Sequence, residues 1–223
     1  MTDLILVRHG ETIWHAENRY AGRSDVDLTP RGMEQASRLA RWAETAGLTG
    51  IWASDLSRAR LTAEGCAKAT GHELKIDPRL RELDFGDGEG LTGAEMEARF
   101  PEARKAFQTD PAASPLPGGE DPFKAAERFV QCLHDIAEEQ PDGRVLVVAH
   151  TTAIRLTLCR LLGIPLSEYR RVFPSLRNCA LTTIRLQGQQ AGLLEYNATA
   201  GPLTEPSAAR PPAVSPASSP NQT

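Results

Sequence analysis

The sequence predicts an α/β fold in which a mostly parallel sheet is covered by helices on both faces. Short apolar segments of strand length alternate along the chain with longer amphipathic segments of helix length. Two short segments, residues 4–7 and 145–149, are apolar at every position, which is typical of strands buried on both faces. Because no internal repeat interrupts this alternation, we expect a three-layer α/β/α sandwich.

Local signals predict the individual elements. Thr29 and Pro30 supply an N-cap and a proline at the first helical position, and Gly47 suits the position just after that helix. Small and apolar side chains recur at three- or four-residue spacing in the segments predicted as helices. The other predicted elements are strands at 51–53, 144–149, 180–186 and 193–196, and helices at 56–70, 122–139 and 152–162.

The composition of the chain changes near residue 200. Residues 200–223 contain six prolines, separated mainly by serine and alanine. Leu203 and Val214 are the large aliphatic residues of this segment, so it lacks the apolar area needed to offset the entropy lost on ordering. We therefore predict one globular domain at residues 1–199 and a disordered tail at residues 200–223.

Charge and composition exclude several classes of protein. The 223 residues include 25 Lys and Arg against 29 Asp and Glu, and this negative balance does not favour binding to nucleic acid. No apolar stretch approaches the roughly 20 residues that span a bilayer, and the N-terminus lacks the apolar core of a secretion signal. The four cysteines form no CxxC pair, so neither a zinc site nor a disulfide framework is predicted. We expect a cytoplasmic protein that binds neither nucleic acid nor membranes.

Two of the predicted buried strands end in a histidine. His9 lies between Arg8 and Gly10 after the first strand, and His150 follows the strand at 144–149. Reactive groups gather beyond the carboxyl ends of parallel strands, where exposed N–H groups at a helix start favour an anion. Imidazole can attack phosphorus, and arginine can hold phosphate oxygens with its planar fork. By themselves, these residues predict an anion pocket that contains histidines.

Further motifs follow in chain order. They are Leu6 to Thr12 with Trp14; Gly22 with Asp25; Leu28-Thr29 with Gly32 and Gln35-Ala36; Ala53 to Ala59 with Thr62-Ala63; Leu80 to Glu82 with Phe85-Gly86 and Glu89-Gly90; Pro117 to Glu120; and Val147 to His150. Together they resemble the histidine phosphatase superfamily, also called phosphoglycerate-mutase-like, over roughly residues 3–190. The resemblance implies a phosphoglycerate-mutase-like sandwich.

The resemblance also implies catalytic roles for five residues. His9 would be the nucleophile that becomes phosphohistidine, and Arg8, Arg58 and His150 would bind the three non-bridging phosphate oxygens. Glu82 would protonate the departing alkoxide and then activate water. No metal or cofactor is implied, because the two guanidinium groups and His150 would supply the positive charge.

Each of these residues also has a purely structural alternative. Arg8 could pair with Glu11, and Glu82 could act as a cap or pair with Arg79. Arg58 could be a solvated charge on a helix. The sequence alone leaves these alternatives open.

The chain departs from the family pattern at several positions. His15 stands where the family usually has Asn, and its ring could donate an N–H to the phosphate or turn away. If it contacts phosphate, a protonated ring would tighten binding below a pH of about 6.5. Thr151 replaces the glycine usual after His150. Gly88 replaces the usual tryptophan before Glu89, which predicts a looser pocket rim.

The substrate-binding residues and the lid are predicted by analogy with the family. The predicted substrate-binding residues are Gly10, His15, Ala21, Gly22 and Thr151. The predicted lid consists of residues 109–115 with Phe107, Leu116 and Phe123. Because this lid offers few charges, it predicts a small neutral or sugar-like phosphate ester as the substrate.

The expected function is that of a phosphomonoesterase, a metal-independent hydrolase of the histidine acid phosphatase type, acting as a monomer or homodimer. The main alternative is a cofactor-dependent phosphoglycerate mutase, since mutase-like relatives share the motifs but carry a longer basic insertion. Here about 35 residues separate Glu82 from Gly118, and the basic residues among them are Arg99, Arg104 and Lys105. A non-catalytic phosphate-binding module is a third alternative, which the presence of His9 and both arginines disfavours.

Overall fold

The structure, a computed structural model, describes residues 1–200 and forms one six-stranded sheet from them. The strands are Thr2–Arg8 (β1), Gly50–Ala53 (β2), Leu74–Ile76 (β3), Arg144–Ala149 (β4), Leu181–Gln187 (β5) and Gln190–Ala198 (β6). They are hydrogen-bonded in the order β3-β2-β4-β1-β5-β6. Strands β1 to β4 are parallel to one another, whereas β5 is antiparallel to both of its neighbours, β1 and β6. The predicted mostly parallel sheet is therefore confirmed.

Eight α-helices flank the sheet within the described part of the chain. They are Ile13–Ala16 (α1), Pro30–Ala43 (α2), Ser57–Thr70 (α3), Gly93–Arg99 (α4), Pro101–Thr109 (α5), Pro122–Glu139 (α6), Thr151–Leu161 (α7) and Tyr169–Val172 (α8). The predicted bounds of α3, α6 and α7 are correct to within one residue. Helix α2 ends before Gly47, whose positive φ of 64° belongs to the following turn. The prediction missed β3, α1, α4, α5 and α8, which are short.

Strand β1 shows why helices must cover both faces of the sheet. Leu4 and Leu6 pack with the apolar residues of α6 and α7, whereas Ile5 and Val7 pack with those of α2 and α3. All four side chains are fully buried. Alternate side chains of a strand point to opposite faces, so an uninterrupted apolar run buries both. The result is the predicted three-layer sandwich, with a core on each side of the sheet.

Part of the segment predicted to form a lid belongs to the core, although Thr109, Ala113 and Pro115 are exposed. Phe107 and Leu116 are 1% and 3% exposed and belong to the core on the α6 and α7 side. Phe123 is 56% exposed and is not part of that core, so its assignment to the lid stays a prediction. A Cβ atom added at Gly88 would lie 2.5 Å from the Leu116 side chain. The predicted loosening of the pocket rim at Gly88 is therefore wrong, because the Leu116 side chain fills that space.

Two further predictions concern membranes and the C-terminal tail. Among residues 1–200, no helix is both long enough and apolar enough to cross a membrane. The predicted tail lies outside the described residues, apart from its first residue, Ala200. Its disorder therefore stays a prediction.

Candidate active site

Sheet topology brings His9 and His150 together. Their strands, β1 and β4, are parallel neighbours, so both histidines leave the sheet at the same edge. The His9 backbone N–H donates to the Ala149 carbonyl at 3.0 Å, which extends the pairing beyond Arg8. The two imidazole centroids lie 5.0 Å apart. The carboxyl edge of the sheet therefore presents a histidine pair, as the sequence predicted for an anion pocket.

The His9 ring is held in the form that a nucleophile requires. Its Nδ1 lies 2.7 Å from the Gly10 carbonyl oxygen, an acceptor, so Nδ1 carries the proton and Nε2 keeps its lone pair. Burial, together with the positive charge of Arg58, holds the His9 pKa well below its usual value. Asn178, which no sequence motif singled out, donates to the His9 carbonyl at 2.8 Å and fixes the backbone. The ring is therefore neutral at neutral pH, with Nε2 available to attack.

Arg8 is held beside His9 by the chain that surrounds it. Its Nη1 donates to the Leu176 carbonyl at 2.8 Å, and its Nη2 donates to His15 Nε2 at 2.6 Å. Glu11 lies 3.9 Å from Arg31 rather than pairing with Arg8, so that structural alternative is not formed. Burial is the main cause that lowers the Arg8 pKa, to about 10. Arg8 therefore keeps its positive charge at neutral pH.

Arg58 is fully buried, which excludes its interpretation as a solvated helix charge. Its Nη1 donates to the Ser24 carbonyl at 2.8 Å, and its Nη2 donates to the carbonyls of Gly22 at 2.6 Å and Ala21 at 3.4 Å. Burial lowers its pKa, since desolvation disfavours the charged form. The carbonyls of this loop thus orient the guanidinium from one side.

Gly22 is required where the loop passes the chain after Glu82. A Cβ atom there would lie 2.6 Å from the Leu83 carbonyl oxygen and 2.2 Å from a carboxylate oxygen of Glu89. That carboxylate also accepts the backbone N–H of Ser24 at 2.8 Å. Ala21 and Gly22, predicted to contact substrate, therefore act in this structure as acceptors that position Arg58.

Thr62 connects helix α3, which carries Arg58, to the loop that follows His9. Its hydroxyl donates to the Arg58 carbonyl at 2.7 Å and accepts the Gly10 N–H at 3.0 Å. Gly10 also approaches the backbone closely, because an added Cβ atom would lie 2.6 Å from the Gly32 carbonyl oxygen. The Gly10 N–H, predicted to bind substrate, is therefore already bonded within the protein. Thr62 appeared in the sequence motifs without a role.

Glu82 is a buried carboxyl group, 3% exposed, at the N-terminus of α7. It accepts the backbone N–H groups of Leu83, Thr152 and Ala153 at 2.8–3.0 Å. Burial raises its pKa, and it outweighs these hydrogen bonds, which act in the opposite direction. Arg79 instead pairs with aspartates, so its alternative pairing with Glu82 is not formed. The other structural alternative is present, because Glu82 caps the start of α7. A raised pKa suits a group that has to donate a proton.

His150 is the N-cap residue of α7 and is fully buried. Among the described residues, neither of its ring nitrogens has a hydrogen-bond partner. Burial holds its pKa well below the usual value, with a further contribution from the charge of Arg58. A buried polar atom without a partner is costly, and a phosphate oxygen would provide one. Thr151 begins α7 directly after this ring.

His15 lies inside the pocket rather than pointing to solvent. Its ring stacks on His9, with a centroid distance of 5.3 Å and an interplanar angle of 15°. Nε2 accepts from Arg8 at 2.6 Å, and Nδ1 lies 3.1 Å from the Thr12 hydroxyl and 3.3 Å from the Thr12 backbone N. Burial and then the charge of Arg8 lower its pKa to about 3. In this arrangement His15 positions Arg8, and the expected tightening of phosphate binding below about pH 6.5 stays a prediction.

The buried histidines predict a loss of stability in acid. His9, His15 and His150 all have a pKa below the value of about 6.5 expected in the unfolded chain. Below about pH 6.5 the unfolded state therefore binds protons that the folded state does not, so the free energy of unfolding decreases as the pH decreases. Each histidine contributes a slope of up to about 1.4 kcal/mol per pH unit.

Urea unfolding of the wild type and of His15→Asn between pH 6 and 4.5 tests this prediction. The variant should lose about 1.4 kcal/mol per pH unit of the wild-type slope. Glu82 has a raised pKa and opposes the slope, but it does so equally in both proteins. His134→Asn, a change on α6, is the matched control and should keep the wild-type slope. Equal slopes for the wild type and His15→Asn would contradict the assignment.

A cavity of about 330 Å³ adjoins this cluster. Thr152, whose N–H binds Glu82, forms part of its wall, and two arginines of α7 and α8 also line it. The lining residues are Tyr20, Phe85, Thr152, Arg155, Tyr169, Arg170 and Pro174. The expectation of a neutral or sugar-like ester rested on the few charges of the predicted lid and did not take these two arginines into account. Arg155 follows Thr151, the first residue of α7, by about one helical turn, a signal that could have identified it from the sequence.

Within the described part of the chain, no group of three or more His, Cys, Asp or Glu side chains is arranged to hold a metal ion. The four cysteines are buried free thiols. Burial is the first cause that raises the pKa of each, and Cys159, the least raised, has a pKa of about 11. These thiols are therefore protonated at neutral pH.

An α/β/α sandwich with two histidines and two arginines at the carboxyl edge of its parallel strands has the architecture of a histidine phosphatase. The family model of the histidine phosphatase superfamily (branch 1) matches residues 4–199, and the chain belongs to this superfamily.

Comparison with individual proteins gives the same family. A probable phosphoglycerate mutase, GpmB, from Erwinia tasmaniensis is 36% identical over 184 residues, which are 82% of this chain and 85% of that protein. The solved structure of Bacillus stearothermophilus YhfR has a TM-score of 0.84 at 29% identity and covers 89% of this chain and 98% of its own. A mycobacterial glucosyl-3-phosphoglycerate phosphatase has a TM-score of 0.79 at 31% identity and covers 88% of this chain and 99% of its own. The chain is thus similar over its described length to proteins named as mutases and as phosphatases.

Proposed function

We propose that the protein is a phosphomonoesterase that hydrolyses a small phosphate ester through a phosphohistidine on His9. The observation that carries the proposal is the state of the His9 ring. Its Nδ1 proton is held by the Gly10 carbonyl, while its neutral Nε2 stands among Arg8, Arg58 and His150. A neutral imidazole between two guanidinium groups suits attack on a phosphate dianion, because the arginines offset its charge.

In the first step, His9 Nε2 forms a bond to phosphorus as the bond from phosphorus to the ester oxygen breaks. Arg8, Arg58 and His150 would bind the non-bridging oxygens, since a phosphoryl transition state needs chiefly positioning and charge stabilisation. Glu82 delivers its proton to the departing oxygen, so that an alcohol leaves rather than an alkoxide. The raised pKa of Glu82 increases the fraction of the enzyme that is ready to donate.

In the second step, water replaces His9 on phosphorus. The Glu82 carboxylate, left by the first step, accepts a proton from the water as its oxygen attacks. The bond between Nε2 and phosphorus breaks, inorganic phosphate forms, and His9 returns to the neutral ring with its proton still on Nδ1. Glu82 is protonated again, so the cycle is balanced and uses no metal or cofactor.

A cofactor-dependent phosphoglycerate mutase is the second candidate, and the name of the Erwinia relative favours it. A mutase would return the phosphoryl group from His9 to a bound glycerate rather than to water. The short segment between Glu82 and Gly118 supports the phosphatase instead, since mutase-like relatives carry a longer insertion there. The similarity to a phosphatase across 99% of that protein's chain supports the same choice.

The two candidates differ in their products. The enzyme is incubated in buffer with EDTA, first with 4-nitrophenyl phosphate and then with 3-phosphoglycerate plus a trace of 2,3-bisphosphoglycerate. We expect inorganic phosphate from the aryl ester at undiminished rate in EDTA, and no conversion of 3-phosphoglycerate into 2-phosphoglycerate. Rapid isomerisation without release of phosphate would establish the mutase. A strict need for added metal would contradict the proposed chemistry.

A further inference from the structure

Arg155 differs from the other partly buried arginines because its guanidinium has no acceptor in the protein. Among residues 1–200, no carbonyl, hydroxyl or carboxylate accepts a hydrogen bond from it, and its Nε is buried without a partner. By contrast, Arg81 and Arg128 are ion-paired with Asp55 and Glu120. A desolvated guanidinium without an acceptor is costly to maintain, so its presence in a cavity indicates an anionic ligand.

The guanidinium of Arg155 is also fixed in direction. It lies over the ring of Tyr169, 4.7 Å from the centroid, and this ring is itself buried. Arg170 contacts the same ring at 5.5 Å and the Phe107 ring at 4.8 Å. Stacking on aromatic rings orients a guanidinium without using its N–H donors. The outer N–H groups of Arg155 are therefore available to the cavity.

A second positive charge lies on the same cavity. Arg170 Nε donates to the Tyr169 hydroxyl at 3.1 Å, and its Nη1 donates to the Phe107 carbonyl at 3.4 Å. Arg170 is thus held in place by uncharged groups and keeps its charge unpaired. Glu82 is the acidic group at this end of the pocket, and its two oxygens already accept three backbone N–H groups.

We propose that Arg155, supported by Arg170, binds a carboxylate on the alcohol part of the substrate while the ester phosphate lies at His9. The inference rests on the proposed function and names the substrate class of that site as phosphate esters that also carry a carboxylate. One free guanidinium edge offers two parallel N–H donors, which match the two oxygens of a carboxylate. The cavity joins the cluster at Thr152 beside Glu82, which is the side from which the alcohol leaves.

The test compares esters that differ in one charge. The short pair is 3-phosphoglycerate and glycerol 3-phosphate, and the long pair is 4-carboxyphenyl phosphate and its uncharged amide, 4-carbamoylphenyl phosphate. We expect the wild type to prefer the carboxylate member of at least one pair by about tenfold or more in kcat/KM. Arg155→Met should lower kcat/KM for that member by roughly 10- to 150-fold, the effect of one charge-assisted hydrogen bond. The uncharged member should change by less than about threefold.

Two further variants control for a general loss of structure. Arg171→Met removes a neighbouring arginine that is exposed and paired with Glu168, and it should leave both esters unaffected. Arg155→Lys keeps the charge but not the planar fork, and it should retain part of the preference. Arg170→Met should reduce the preference less than Arg155→Met does. Inorganic phosphate should inhibit all of these variants as it inhibits the wild type, since the phosphate pocket is unchanged.

Binding measured in a His9→Ala background separates this inference from the proposed function. Calorimetry in that background should show tighter binding of the carboxylate ester, and the difference should disappear on adding Arg155→Met. If the wild type hydrolyses no ester but this difference is present, the proposed function fails and the carboxylate site stands. If the wild type hydrolyses both members of each pair equally, or Arg155→Met weakens both equally, the carboxylate site is overturned.

Discussion

Replacing His9 with alanine is expected to abolish turnover, with a loss of about 10⁴-fold or more in kcat. The neutral Nε2 of His9 is the proposed acceptor of the phosphoryl group, because its Nδ1 proton is held by the Gly10 carbonyl. Nε2 of His15 is engaged by Arg8, the thiols are protonated, and His150 is proposed to bind a phosphate oxygen. The measurement is the initial rate of phosphate release from 4-nitrophenyl phosphate. Wild-type enzyme mixed with labelled substrate and quenched without acid should carry the label on His9.

His134→Ala is the matched control, because it removes a histidine on α6 that matches no motif. This variant should keep the wild-type rate and the wild-type labelling. The His9→Ala protein should still bind inorganic phosphate through Arg8, Arg58 and His150, so lost turnover is distinguishable from a lost pocket. Label found on a serine or cysteine, or a His9→Ala rate within tenfold of wild type, would exclude the phosphohistidine mechanism.

Replacing Glu82 with glutamine should lower kcat/KM in proportion to the leaving group's need for a proton. Glutamine has nearly the same shape but cannot donate a carboxyl proton, so hydrolysis of an alkyl ester such as glycerol 3-phosphate should fall about 10²- to 10⁴-fold. With 4-nitrophenyl phosphate, whose leaving group departs as the anion, kcat/KM should fall less than about tenfold. Since water activation is also lost, the variant should release a burst of 4-nitrophenol equal to the enzyme and then turn over slowly.

The pH profile gives a second readout of Glu82. Because the pKa of Glu82 is raised, its protonated donor form persists above the pH at which a free glutamate ionises. This form is lost as the pH rises through the raised pKa. The wild type should therefore show an alkaline decline in kcat/KM for the alkyl ester that Glu82→Gln lacks. Glu73→Gln, on an exposed residue, is the matched control and should keep the decline. An equal loss for both leaving groups would contradict proton donation by Glu82.

Local pattern was sufficient to predict most of the fold. The uninterrupted apolar runs of β1 and β4 predicted strands buried on both faces, and the N-cap Thr29 with Pro30 marks a helix start that the structure retains. These features depend on neighbours within a few residues, which is why they can be read from the sequence. Some short elements, such as β3 and α5, were missed because their few positions do not show a clear hydrophobic period.

The candidate site was also predicted only in part from local sequence. Arg8 and His9 are adjacent in the chain, and His150 follows a strand, so these short segments were enough to predict an anion pocket. Their assembly depends on β4 lying beside β1, a pairing between residues about 140 positions apart in the chain. The motifs named Arg58, but the carbonyls of Ala21, Gly22 and Ser24 that turn it inward come from a distant loop.

By itself, the sequence determined the α/β sandwich, its family resemblance and the candidate pocket residues. Only the tertiary structure decided the charge state of His15, the place of Leu116 in the core, and the arginine-lined cavity beside Glu82. Arg155 and Arg170 stand on different helices, and nothing in the sequence shows that they line the same cavity. Burial and unpaired charge arise from everything that surrounds a side chain in space, and most of those neighbours are far away along the chain.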